Sequence, residues 1–329
     1  MDFLARLFQK YCQDFNLFDV HHPLTLKYED QKPKIIQKSK HGDVDLIQWS
    51  QFKEISLVGE GAYCVVYKAQ YKDKVVAIKK VKPDFENKDE SRMMLNEARI
   101  LQKIDHSGVV KLLGLGEEGS SPDFLVLEYI DQTLTEFLKE QRIKNSDDFL
   151  LGDAINLGIQ LASILAHLHH EALSSNVIIH RDIKPDNIGF TNGQLKLIDF
   201  GLSKIKSRVS DEGDRLNPEN QIHQVGTPRY MAPEVGLRKY CNHKSDIYSF
   251  ALVFWQLLTL QTPFEEMDIE NHYEQLHQGL RPSLKLIPRK LSFFLSRCWH
   301  VVPEKRPDFP DILHFLVTFL NNECDHAVK

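Results

Sequence analysis

The chain has 329 residues, a formal net charge of −5 at pH 7, 42% hydrophobic and 26% charged residues. That length suits about two domains or lobes with a substantial core, and the charge balance gives no whole-molecule field for nucleic acid or an anionic membrane. The five cysteines (Cys12, Cys64, Cys241, Cys298 and Cys324) are scattered and form no Cys-x-x-Cys pair, which argues against a disulfide framework or zinc knuckle and for free thiols in a reducing compartment.

The N-terminus has no basic region followed by an apolar core and a small-residue cleavage site, so no secretory signal is expected. A cytoplasmic location is expected, with access to the nucleus left open. Residues 1–50 form a first section. In FLARLFQKYCQDF, Phe3, Leu4, Leu7, Phe8, Tyr11 and Phe15 fall at helical spacing. That is an amphipathic helix for docking on the following domain, a partner or a membrane. HHPLTLKYEDQKPKIIQKSKHGD follows as a linker, and its basic cluster is diluted by apolar residues.

From Phe52 to about Ile130 the runs FKEISLV, CVVYKAQY, KVVAIKKV, VVKLLGLG and FLVLEYI predict five strands. A helix over DESRMMLNEARILQKID interrupts them between the third and fourth. From about Leu134 onward helices dominate. DDFLLGDAINLGIQLASILAHLHH carries Leu150, Ala154, Leu157, Leu161, Ile164 and Leu168 on one stripe. Helices are also predicted in SDIYSFALVFWQLLT, SLKLIPRKLSFFLSRCWH and DFPDILHFLVTFL. The longest apolar run, Phe250 to Leu258, is interrupted by Gln256 and too short to span a bilayer, so no transmembrane segment is expected. HLHH at His167 to His170 has no metal-like partner set elsewhere. The chain therefore divides into a small sheet-based lobe and a larger helical lobe.

Four stretches carry chemistry. VGEGAYCVVYKA (Val58 to Ala69) places Gly59 and Gly61 in a turn between strands, where backbone N–H groups approach phosphate oxygens without a Cβ in the way; an ordinary hairpin turn has the same look. In VVAIKK, alternation puts Ala77 and Lys79 on one face and Val76 and Ile78 on the other. Lys79 then ends a slot facing the glycine turn, unless it is a surface lysine on an edge strand. Glu97 lies four residues before Leu101 on one helical face. A glutamate in an apolar stripe wants a cation, and Lys79 is the obvious partner; an exposed charged face is the alternative. NVIIHRDIKPDNIGF and LKLIDFG are the decisive pair. One apolar strand leads into a loop with Arg181, Asp182, Lys184, Asp186 and Asn187, and a second ends on Asp199. Asn187 and Asp199 offer hard oxygen ligands for Mg²⁺ that also bridges phosphates. Asp182 is placed to accept a hydroxyl proton, and Lys184 to neutralise a transferring phosphoryl group.

On these residues the chain resembles the eukaryotic-type protein kinases from about Phe52 to Leu320. The resemblance implies an α+β, bilobal kinase fold with a five-stranded antiparallel N-lobe sheet plus one helix, and a mainly helical C-lobe. It implies a kinase domain over 51–320, with the N-lobe at about 51–130 and the C-lobe at about 131–320, and a short tail over 321–329. VAIK makes Lys79 the α/β-phosphate contact with Glu97 as its ion-pair partner. HRDIKPDN makes Asp182 the base and Asn187 a metal ligand, and DFG makes Asp199 the principal Mg²⁺ ligand. GTPRYMAPE (Gly226 to Glu234) resembles the end of the activation segment, with Thr227 helping to hold Asp182 and Lys184. SDIYSF resembles the buried central helix, where Asp246 would hold the backbone of His180 and Arg181, or would simply cap a helix. Arg306 in CWHVVPEKRPDF would pair with Glu234.

By position, the backbone of Glu128 and Ile130 would bond adenine and Leu127 would stand behind it. Val58, Val66 and Ala77 would cover the ring, and Gly59, Glu60 and Gly61 would form the phosphate loop. Thr133 falls near the ribose. Cys64 departs from the usual third glycine, and Gly189 from the apolar side chain usual beneath adenine. The first implies a modest effect on ATP affinity and the second a loss of packing; neither removes a catalytic group.

Lys184 matches the serine/threonine pattern, while the C-lobe motifs resemble tyrosine-kinase-like serine/threonine enzymes. The implied function is a serine/threonine protein kinase that uses ATP and Mg²⁺ on a protein substrate in signalling. Ser203, Ser207 and Ser210 lie between Asp199 and Glu234; Arg181 would bind a phosphorylated Ser207 or Ser210, modified by an upstream kinase or by autophosphorylation within 199–234, unless these serines are only polar loop residues. A pseudokinase scaffold usually lacks the lysine or one of the two aspartates, and all three are present. A kinase-fold enzyme acting on a small molecule is a third reading, which the full APE segment argues against.

Overall fold

The structure is a computed structural model and describes residues 45–61, 63–82, 88–117, 122–144, 149–208, 226–268 and 272–327. The expected helix at Phe3 to Phe15 and its linker lie outside the described residues.

The N-lobe is built on strands β1 (Leu46–Ile47), β2 (Phe52–Glu60), β3 (Cys64–Tyr71), β4 (Lys74–Val81), β5 (Leu112–Glu117) and β6 (Pro122–Glu128), with helix α1 (Lys88–Leu101) after β4. The strand order is β1-β5-β6-β4-β3-β2. The five expected strands pair antiparallel. A sixth, β1, adds parallel to β5 through Leu46↔Leu115 and Ile47↔Gly116. Two residues are too few to show a period of two, so the pattern gives no warning of it.

Alternation sorts the two faces of the sheet. Ala77, Val81, Leu125 and Leu127 join Met94 and Ala98 of α1 in the main core. Val76, Ile78, Phe124 and Val126 turn to the opposite face and pack with Ile47 and Phe52. Trp49 closes that second cluster, its ring edge-on to Tyr67 at 5.7 Å and to Phe124 at 5.3 Å.

The C-lobe contains α2 (Leu134–Lys144), α3 (Leu151–Ala166), α4 (Pro233–Gly236), α5 (His243–Thr259), α6 (Tyr273–His277), α7 (Arg289–Cys298) and α8 (Phe309–Ala327). Its core is α5, buried from Ser245 to Leu257. Helix α3 packs against both α5 and α8. Ala154, Leu161, Ile164 and Leu168 of the predicted stripe are all buried. With the π-helical turn His167–Glu171, α3 is long and apolar enough to cross a membrane by length and composition, but 56% of its most apolar 18-residue stretch is buried, as in a core helix. The helix expected from Ser283 starts only at Arg289, because Pro288 holds an extended conformation at the cap (ψ 141°).

Short strands frame the cleft between the lobes. β7 (Gln132–Thr133), β9 (Ile188–Thr191) and β10 (Gln194–Leu197) form one small sheet, and β8 (Asn176–Ile179) pairs with β11 (Lys204–Ser207). The loops leaving β8 and β10 carry Asp182 and Asp199 into the cleft. Lys196 of β10 is 4% exposed. Its ammonium reaches back to Glu128 at the end of β6, 2.9 Å from Oε1 and 3.0 Å from Oε2, and so joins the two lobes.

Candidate active site

Lys79 lies mid-strand in β4, opposite Val66 on one side and Leu125 on the other. Its ammonium donates to Glu97 Oε2 at 2.7 Å and to Asp199 Oδ1 at 2.8 Å. Burial alone would lower the Lys79 pKa, but the two carboxylates outweigh it and hold the value well above the usual lysine range. Glu97 is 1% exposed. Burial and the Asp199 charge push its pKa upward against Lys79. Its second oxygen accepts the Phe200 N–H at 3.2 Å, so α1 holds both the lysine and the segment after Asp199. Burial would raise Asp199, yet Lys79 and the Gly201 N–H bring it down to about 2, so it is ionised at neutral pH.

Asp182 is held from three directions. Its Oδ1 accepts the Thr227 N–H at 2.8 Å and the Thr227 hydroxyl at 2.9 Å. Its Oδ2 lies 3.0 Å from Lys184 Nζ and accepts from Asn187 Nδ2 at 2.8 Å. Lys184 also donates to the Thr227 hydroxyl at 2.6 Å. Thr227 gets this close because the residue before it is glycine. Gly226 has φ 114°, and a Cβ there would stand 2.7 Å from the Arg181 carbonyl oxygen.

The loop backbone is fixed from below. Asp246 accepts the His180 and Arg181 N–H groups, both at 2.9 Å. It is not the cap of α5; Asn242 is, accepting the Lys244 N–H at 3.0 Å. His169 Nε2 lies 2.9 Å from the same carboxylate. That hydrogen bond draws the Asp246 pKa down against its burial, while burial lowers His169. Glu234 and Arg306 form the expected pair, bidentate at 2.7 and 2.9 Å and buried.

One cavity of about 780 Å³ gathers Glu60, Gly61, Lys79, Glu97, Asp182, Lys184, Asn187, Asp199 and Thr227. Gly59 sits beside Val66 on the neighbouring strand. The residues expected around the base lie on the adjoining strands: Val58 exposed on β2, Val66 half-buried on β3, and Ala77 buried on β4 opposite Leu127. Glu128 ends β6. Among the described residues the Ile130 backbone makes no hydrogen bond, whereas the Asp131 N–H is taken by Phe190. Thr133, expected near the ribose, directs its N–H and hydroxyl to Glu136 and caps α2.

The donor set fits Mg²⁺ held together with phosphates. Asp199 is ionised and its side chain is 43% exposed to the cleft. The Asn187 amide nitrogen is committed to Asp182, which leaves its oxygen for a cation. No group of three or more His, Cys, Asp or Glu able to hold a metal occurs among the described residues. An ion here would complete its shell from another molecule, as Mg²⁺ does at phosphate sites.

Two participants were not identified from sequence. His169 fell in a run weighed only for metal binding. Lys196 lies between the buried Leu195 and Leu197; a lysine inside an apolar strand demands a carboxylate, a signal available in the sequence, but only the structure shows that the carboxylate is Glu128. Among the activation-segment serines, Ser203 is buried and donates to the His180 carbonyl at 3.3 Å, Ser207 is exposed at the end of β11, and Ser210 lies outside the described residues.

A sheet lobe above a helical lobe, with a lysine held by two carboxylates over an aspartate–asparagine loop, defines the protein kinase class of fold. The chain matches the family described as protein kinase domain over residues 52–316. It belongs to the protein kinase family. It is 31% identical over 273 residues to the serine/threonine-protein kinase VIK of Arabidopsis thaliana, covering 80% of this chain and 58% of that one. It is 31% identical over 271 residues to mitogen-activated protein kinase kinase kinase 7 of Drosophila melanogaster, covering 80% of this chain and 37% of that one. A Dictyostelium discoideum relative described as a probable serine/threonine-protein kinase is 30% identical over 292 residues, 87% of this chain and 30% of the relative. The chain thus spans between 30% and 58% of the length of these relatives. Members of the family use ATP and Mg²⁺.

Proposed function

We propose that the chain is an ATP-dependent serine/threonine protein kinase acting on protein hydroxyls in signalling. One observation carries this reading: Lys79, Glu97, Asp182, Lys184, Asn187, Asp199 and Thr227 all face a single cavity. A pseudokinase scaffold has no need to keep that set together.

Lys79, fixed by Glu97, orients the phosphate tail. Asp182 positions the substrate hydroxyl and takes its proton, and Lys184 offsets charge on the transferring group. Asn187 and Asp199 would hold Mg²⁺, which neutralises charge on the phosphates. Gly59, Glu60 and Gly61 form the loop over the phosphates. Val58, Val66 and Ala77 cover the base, and the backbone of Glu128 and Ile130 bonds its edge. Thr227 ties the substrate-facing end of the activation segment to Asp182. The switch hypothesis rests on Ser207 and Ser210, phosphorylated by an upstream kinase or by the chain itself, in a cytoplasmic setting; the burial of Ser203 is consistent with leaving it out.

The test is phosphoryl transfer from γ-labelled Mg·ATP to the chain and to a basic protein, with Lys79→Ala and Asp199→Ala as controls. Label on serine or threonine that vanishes in both variants is expected. Nucleotide binding without transfer, even after treatment with an upstream kinase, would replace this reading with a scaffold. Unchanged activity when both Ser207 and Ser210 are alanine would remove those serines as the switch.

A further inference from the structure

Gly189 on β9 is buried, and its backbone φ is not among the positive ones. Any residue satisfies that conformation, so the glycine is not there for its flexibility. The reason is room. A Cβ built on Gly189 would lie 2.3 Å from Ile130 Cγ2 and 3.0 Å from the Gln132 carbonyl oxygen. The space that a side chain at 189 would enter already holds a methyl group of Ile130.

The placement of Ile130 gives this exchange a consequence. Ile130 follows β6, two residues beyond Glu128, and its side chain packs against the main core. Val66 on β3 and Ala77 on β4, the residues expected over the base, belong to the same apolar cluster as Ile130. The loss of packing expected from Gly189 is therefore offset by a side chain from the connection between the lobes. Being β-branched, Ile130 has few rotamers and holds its methyl in place.

We propose that Ile130 supplies the apolar floor beneath the purine ring in place of a side chain at 189, and that the Ile130–Gly189 pair sets the fit of the base. This rests on the nucleotide reading above. One residue then does two things: its backbone meets the edge of the base and its side chain meets the face. A floor on β9 belongs to the C-lobe sheet, whereas this floor moves with the connecting segment.

The test compares wild type with Ile130→Ala, Gly189→Leu and the double variant. Mg·ATP affinity by calorimetry, KM and kcat, and melting temperature without nucleotide are measured for each. Ile130→Ala is expected to raise Kd and KM for ATP about 10-fold, the scale of a few methyl groups lost from an apolar pocket, with a smaller effect on kcat. Gly189→Leu is expected to weaken ATP binding by at least about 10-fold and to lower the melting temperature, because the new side chain collides with Ile130. The double variant is expected to recover both quantities to within about 3-fold and a few degrees of wild type. If Ile130→Ala binds ATP as wild type does, or if the double variant shows the two losses added together, the proposal is wrong. If wild type itself binds no nucleotide, the functional reading fails, whatever the melting temperatures show about the contact.

Discussion

Arg306→Met is the sharpest test of how the C-lobe holds its activation segment. The Arg306 side chain is 0% exposed and that of Glu234 is 2% exposed. The guanidinium meets both carboxylate oxygens, at 2.7 and 2.9 Å, and donates to the carbonyls of His300 and Lys244, each at 2.9 Å. Methionine fills much of the volume but leaves the glutamate charge buried with, among the described residues, only the Ser245 hydroxyl, 3.2 Å from Oε1. Breaking one side of a buried pair costs about 3–5 kcal/mol. Against a total stability of roughly 5–15 kcal/mol that is a large share. At roughly 2–4 °C per kcal/mol for a domain of this size, the melting temperature should fall by roughly 6–20 °C. Urea unfolding gives the free energy and a thermal melt the temperature. Arg306→Met/Glu234→Leu, which removes both charges, should regain most of the loss, since buried pairs are often replaceable by apolar residues. A single variant that costs under about 1 kcal/mol, or a double variant whose cost is the sum of the singles, would refute this account of the pair.

Three further outcomes follow from the same geometry. Thr227→Ala removes the hydroxyl donor to Asp182 and the acceptor from Lys184 while keeping the backbone N–H, and should lower kcat about 10-fold while KM for ATP changes little in steady-state assays. Asp199→Asn should lower phosphoryl transfer about 10²- to 10³-fold. The folded-state pKa of Asp199 is about 2, below its ordinary 3.8, so its contribution to stability is present above about pH 4 and is lost as pH falls toward 2; urea midpoints across that window should drop less in Asp199→Asn than in wild type. Lys196→Met leaves Glu128 without its cation and should cost about 2–3 kcal/mol in urea unfolding.

The catalytic loop was legible because its chemistry is local in sequence: Asp182, Lys184 and Asn187 fall within six residues. Lys79 and Glu97 were legible as a pair because a charged residue in an apolar pattern has few ways to be satisfied. The strands β2 to β6 showed themselves through β-rich runs. What stayed hidden depends on contacts between distant segments. β1 exists only because β5 offers it an edge. The start of α7 is decided by Pro288, a breaker the apolar pattern ran over. The pairing of Ile130 with Gly189 joins two segments 59 positions apart in the numbering; each drew notice on its own, Gly189 as a missing side chain and Ile130 as a backbone partner, but neither pointed to the other.

The Lys196–Glu128 pair also sets a condition on any motion between the lobes. Glu128 remains paired with Val76 in the upper sheet while its carboxylate is gripped by a lysine of the lower lobe. Lys196 is almost fully enclosed, so salt screens the grip only weakly. Lobes that parted with this pair intact would share a fixed point and rotate about it. Displacement grows with distance from a pivot. The end of the cleft next to Glu128 would then keep its shape, and the glycine turn at the far end of β2 would sweep the widest arc. A nucleotide in this cleft would lose its hold on the phosphates first and on the base last, which makes the order of release a property of where one lysine was placed.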